Sequence, residues 1–128
     1  MTEPSFLLDT NILVYLVAGN SDPLRDQVEQ RPPGSLVTSA LCVAEALYGM
    51  EESVAVRSSF DRLLQVVEPQ PFGLAAARAF PSVPFRRGKL DRLIAAHTLA
   101  LGLTLVTNNE ADFEDIPELR VENWTRRR

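Results

Sequence analysis

Two hydrophobic patterns take turns along the chain: short unbroken apolar runs, and longer stretches whose apolar positions recur every three or four residues. Phe6-Leu7-Leu8 is the first short run and reads as a buried strand. Asp9-Thr10-Asn11 then turns the chain into an apolar helix, Ile12 to Val17, ending near Gly19. Pro32-Pro33-Gly34 breaks the pattern before a second strand, Ser35 to Thr38. Ser39 is suited to cap a helix carrying Leu41, Val43, Ala44, Leu47 and Tyr48, with Gly49 near its end. A helix from Val54 to Leu64 leads to Val66-Val67, a candidate strand stopped by Pro69 and Pro71, and Leu74 to Phe80 forms a short alanine-rich helix. Asp91 opens a helix from Leu93 to Leu101 closed by Gly102, Thr104 to Thr107 is the clearest strand, and Val121 to Trp124 supplies a last edge strand.

Short, continuously apolar strands alternating with helices are the mark of a parallel sheet covered on both faces. The expectation is therefore an α/β protein: a three-layer α/β/α fold around a central, mainly parallel sheet of four to five short strands. Residues 1–128 form one domain, with no repeat, low-complexity tract or linker. Apolar residues at 45% and charged residues at 23% exclude a disordered or fibrous chain. Cys42 is the only cysteine and His97 the only histidine, which excludes an internal disulfide and a Cys/His zinc site. Cys42 reads as a small buried hydrophobe and His97 as packing or surface. Without a basic leader or a long apolar run, the expected location is the cytoplasm, with no membrane partner.

Candidate chemistry follows from the fold. Ligands of open parallel sheets bind beyond the carboxyl ends of the strands, where the strand order reverses. Asp9 and Asn11 follow the first strand, Thr38 and Ser39 the second, and Thr107, Asn108, Asn109 and then Asp112 the clearest one. Glu45 lies inside a helix whose residues at helical spacing carry no charge, and Asp91 opens another helix. Each acid has an ordinary role open to it: a turn for Asp9 and Asp112, a wet helix stripe for Glu45, a helix cap for Asp91. Together they mean more. Four carboxylates about 6 Å apart at an effective dielectric near 20 would repel by ~17 kcal/mol in all. That exceeds the ~5–15 kcal/mol net stability of a domain, so such a cluster must hold cations or protons. Hard oxygen ligands select magnesium (Mg2+), with manganese (Mn2+) as a substitute, over zinc. A metal held this way suits phosphodiester hydrolysis.

The net charge of −4 argues against a nucleic-acid partner until its distribution is considered. Positive charge gathers in Arg86-Arg87-Gly88-Lys89 with Arg92, and in Arg126 to Arg128. Both groups read either as solvated surface or as a phosphate-facing rim, with Arg86, Arg87 and Lys89 as candidate substrate contacts.

Four blocks in order, Leu7 to Leu13, Thr38-Ser39 with Glu45, Asp91 to His97, and Leu105 to Asn109 with Asp112-Phe113, resemble a PIN domain of the VapC toxin type. The resemblance runs essentially end to end. It implies magnesium-dependent cleavage of RNA, a homodimer, and inhibition by a small VapB-like antitoxin. Asp9, Glu45 and Asp91 match the family's three firmest metal-site acids and Asp112 a fourth, while Asn11, Ser39, Thr107 and Asn109 match the polar residues supporting them. Pro81 and Pro84 interrupt a region that is longer in the family, which bears on the substrate entrance and dimer contact. Rival readings fit less well. A receiver-type phosphoacceptor domain needs adjacent acids after the first strand and a lysine after the last, but Thr10 follows Asp9. A haloacid-dehalogenase phosphatase needs a second aspartate where Asn11 stands. A non-catalytic PIN-like module that binds RNA or protein remains the alternative.

Overall fold

The computed structural model describes residues 2–86 and 89–126. Five strands, β1 (Phe6–Leu8), β2 (Leu36–Ser39), β3 (Glu68–Gln70), β4 (Thr104–Val106) and β5 (Val121–Glu122), form one sheet in the order β3-β2-β1-β4-β5, parallel throughout. Six α-helices flank it: α1 (Thr10–Ala18), α2 (Asp22–Glu29), α3 (Ala40–Gly49), α4 (Val54–Val66), α5 (Leu74–Ala79) and α6 (Leu90–Leu101). The expected three-layer α/β/α architecture is present. Helix α1 packs on α3 and α4, and α5 packs on α6.

The three central strands, β2, β1 and β4, are largely buried on both faces. Leu7, Leu8, Leu105 and Val106 have no exposed surface, and all four residues of β2 are buried. Polar Thr38 is tolerated there because its hydroxyl donates to the Leu8 carbonyl at 2.7 Å. Gly19 and Gly102 end α1 and α6 at φ 69°, the left-handed conformation glycine adopts without a Cβ clash.

Several boundaries differ from the sequence reading. Helix α1 begins at Thr10 rather than Ile12, with Asp9 as its cap. Helix α2 was not expected at all. Val66 ends α4 instead of starting a strand, and β3 begins at Glu68 and includes Pro69. Proline fits there because β3 is an edge strand with no further partner for that N–H. Asp91 stands in the first turn of α6, which starts at Leu90 after Lys89, so it does not cap that helix.

The topology fixes where a site can form. From β1 the chain crosses to β2 on one side, and later to β4 on the other, so the strand order reverses at β1. The crevice at that switch point lies beyond Leu8 and Val106, where the next residues are Asp9 and Thr107.

Candidate active site

Asp9 anchors the crevice. Its backbone N–H donates to the Val106 carbonyl at 2.9 Å, continuing the ladder one step past the strand. One carboxylate oxygen accepts the Thr10 N–H at 2.8 Å and the other the Thr107 hydroxyl at 2.8 Å. Burial raises the Asp9 pKa from 3.8 to about 6, with Asp91 and Glu45 adding to the rise, while the bonds from Thr107 and Thr10 oppose it. Beneath it lies Cys42, fully buried, with Sγ 4.0 Å from Asp9 Oδ1. Burial, reinforced by the neighbouring Asp9 charge, pushes that thiol up to about 12, which makes it an inert packing group.

Asp9, Glu45 and Asp91 line one cleft of about 340 Å³, together with Thr10, Asn11 and Asn109. Glu45 reaches it from α3, where Ala46 and Gly49 leave room, and accepts the Thr10 hydroxyl at 2.5 Å. Burial raises the Asp91 pKa, and the Asp112 and Glu45 charges raise it further against Lys89 and Arg92. Asp112 stands beside the cleft, close enough to repel Asp91, and accepts Asn109 Nδ2 at 2.5 Å. Among the described residues, no three acidic, histidine or cysteine side chains form a closed metal centre. Asp9, Glu45 and Asp112 each accept from a donor of their own.

The supporting residues divide. Thr107 holds Asp9 and Asn109 holds Asp112. Asn11 lines the cleft but donates to Asn108 at 3.4 Å, not to an acid. Ser39 departs from its expected part: its hydroxyl accepts the Leu41 N–H at 3.0 Å as the cap of α3 and meets His97 Nδ1 at 2.9 Å, touching no carboxylate. His97 is buried in contact with Ser39 and with the Phe72 ring, in agreement with its reading as a packing residue.

The basic segment also differs from a uniform rim. Arg92 is 2% exposed, and its guanidinium donates to both Asp115 oxygens at 3.1 Å, to the Pro84 carbonyl at 3.4 Å and to the Asp112 carbonyl. It is an internal clamp on the Asp112 loop. Arg86 pairs with Asp115 at 3.4 Å, Lys89 is exposed next to α6, and Arg87 lies outside the described residues. The Arg92 guanidinium holds the Asp115 carboxyl below its ordinary value. Thr10 and Arg92 were missed as contributors. For Arg92 a signal existed, since it falls on the apolar stripe of Ala95, Ala96 and Leu99 at helical spacing. For Thr10 there was none.

Residues 6–119 match the family described as PIN domain. The chain is also 34% identical over 129 residues to Ribonuclease VapC2 of Haemophilus influenzae, an alignment spanning 93% of this chain and 97% of that protein. The chain belongs to the PIN-domain family. Over 136 residues this PIN domain is 30% identical to the tRNA(fMet)-specific endonuclease VapC of Salmonella typhimurium, again covering 93% and 97% of the two chains. Its fold superimposes with a TM-score of 0.80 on a chain from the crystal structure of VapBC2 of Rickettsia felis bound to a DNA fragment from their promoter, at 28% identity over 93% of this chain and 98% of that one. Among the described residues, no helix is long and apolar enough to cross a membrane.

Proposed function

We propose that this PIN domain is a magnesium-dependent endoribonuclease that acts as the toxin of a toxin–antitoxin pair. The observation that carries the reading is the meeting of Asp9, Glu45 and Asp91 in one cleft at the sheet's switch point, with the half-buried Asp9 raised to about 6. The relatives named as VapC ribonucleases support the same activity.

The donor set fits magnesium. Every acid offers hard oxygen, no thiolate or imidazole lines the cleft among the described residues, and a half-buried carboxylate with two like charges nearby is relieved by a cation. Asp9, Glu45 and Asp91 would hold the metal, and Asp112 would hold a second ion or orient water. When bound, magnesium supplies a Lewis acid that makes water nucleophilic and offsets charge on the phosphate. The chain does the rest by positioning. Thr107 and the Thr10 N–H fix both Asp9 oxygens, the Thr10 hydroxyl aims Glu45, and Asn109 with the Arg92 clamp fixes Asp112. The hydrolysis needs no covalent enzyme intermediate, and the cleft lining contains no serine, cysteine or histidine nucleophile. A homodimer and a small VapB-like antitoxin are the expected partners.

RNA cleavage by the purified chain should require magnesium or manganese, stop in excess chelator, and be lost in Asp9→Asn. Because that change removes a charge from a repelling group, the metal-free variant should melt at or above the wild-type temperature. Full cleavage by Asp9→Asn, or by wild type in chelator, refutes the mechanism. The open spacing of the acids favours one second reading, a PIN-like module that binds without cutting. The same assay decides it, since such a module would bind RNA or protein and cut nothing under any metal.

A further inference from the structure

The segment leading into α6 carries a side chain that the reaction described above does not use. Phe85 is 77% exposed, yet the backbone beside it is tied down. Val83 is buried, and the Pro84 carbonyl accepts from Arg92, whose guanidinium also grips the Asp112 carbonyl. One arginine thus links the residue preceding Phe85 to the backbone of the Asp112 loop beside the cleft. The chain continues into Arg86, and Lys89 stands exposed two residues before Asp91. An exposed aromatic ring thus sits in sequence next to Arg86 and four residues before Lys89, on a backbone that Arg92 fastens to the Asp112 loop. Tyr48, 96% exposed, offers a contrast, because Glu51 and Glu52 follow it and would repel phosphate.

Resting on the ribonuclease reading, we infer that Phe85 is a stacking platform for an unpaired base of the RNA, with Lys89 and Arg86 holding the adjoining phosphates. The chemistry selects the substrate class. Stacking on a protein ring needs an open base face, which single strands and loops present and a duplex does not. Arg86 already pairs with Asp115, so Lys89 takes the larger share of the phosphate contact.

Fluorescence anisotropy with a short labelled oligoadenylate tests this, using the full chain carrying Asp9→Asn in magnesium buffer so that RNA is bound but not cut. Added Phe85→Ala should weaken binding about tenfold with an unchanged salt dependence, and Phe85→Tyr should keep the parent's affinity. Lys89→Gln should instead flatten the salt dependence. An abasic strand of equal length should bind Phe85→Ala and its parent alike. Equal affinity of the two for oligoadenylate overturns the stacking role, whether the ring serves a protein partner or nothing, and leaves the ribonuclease reading standing. No binding by the parent, together with no metal-dependent cleavage by wild type, overturns both. Since Phe85 is exposed, the variants should melt with their parent, which separates lost stacking from lost fold.

Discussion

Asp9 uses its two oxygens for two purposes, capping α1 through the Thr10 N–H and meeting Thr107 across the crevice. Asp9 thus serves as the turn and helix cap while also lining the cleft. Thr10 is the less obvious neighbour: it is 9% exposed, and its hydroxyl reaches Glu45 thirty-five positions away. Thr10→Val keeps the shape and removes the donor, so under the proposed function magnesium affinity should fall about 10-fold to 100-fold while Thr10→Ser preserves it. Isothermal titration with magnesium would measure this, and an unchanged affinity in Thr10→Val would assign Thr10 to packing alone. His97 offers a pH test. Its burial lowers its pKa below 6.5, so the unfolded chain takes up the proton more readily than the folded one. The stability this neutral histidine contributes is present above 6.5 and is lost as pH falls through the folded value. Urea melts between about pH 7 and pH 5 should show wild type losing more stability than His97→Gln, which cannot charge. Parallel losses would place the sensitivity elsewhere. At this scale the acids were legible because a charge on an otherwise apolar element stands out. Ser39 was misjudged because a hydroxyl at a strand end can turn toward a helix N–H as readily as toward a carboxylate.

At the scale of elements, α6 brings Asp91 to the cleft and, one residue on, sends Arg92 inward to fasten the loop that carries Asp112. Arg92→Met fills much of the volume but leaves the Asp112 and Pro84 carbonyls without their donor. It should cost about 2–3 kcal/mol in chemical denaturation and reduce cleavage by displacing Asp112. Cleavage retained in full alongside that destabilisation would confine the clamp to stability. The strands and amphipathic helices were legible from periodicity, as with Phe6–Leu8, Thr104–Val106 and Val54–Val66. Helix α2 was not. Ser21 caps it and Pro23 stands in its first turn, but only Leu24 is buried, so the sequence shows almost no apolar stripe. Strand β3 escaped for a related reason: an edge strand of Glu68, Pro69 and Gln70 needs neither an apolar run nor a full set of N–H donors. Local cap chemistry and edge position leave weak traces where burial leaves strong ones.

At the scale of the whole molecule, the net charge of −4 hides an arrangement in which acids line the cleft and Lys89, Arg86 and Arg126 lie on the exposed surface. Under the proposed function, expression of this chain alone should arrest growth, Asp9→Asn should not, and coexpression of a small protein encoded beside it should restore growth. Harmless expression of the folded, intact chain would refute the toxin assignment while leaving the fold untouched. The order of the strands has one further effect, on timing. Strand β1 is made nearly a hundred residues before its partner β4 and the Thr107 that holds Asp9. At roughly 5–20 residues per second, a ribosome takes several seconds to supply them, and closing so distant a pairing is slow in itself. Until then the nascent chain has Asp9 without its crevice and Asp91 without its loop. During that interval the cell is exposed to separated acids, not to an assembled centre, and under the proposed function a partner translated nearby gains the interval in which to arrive first.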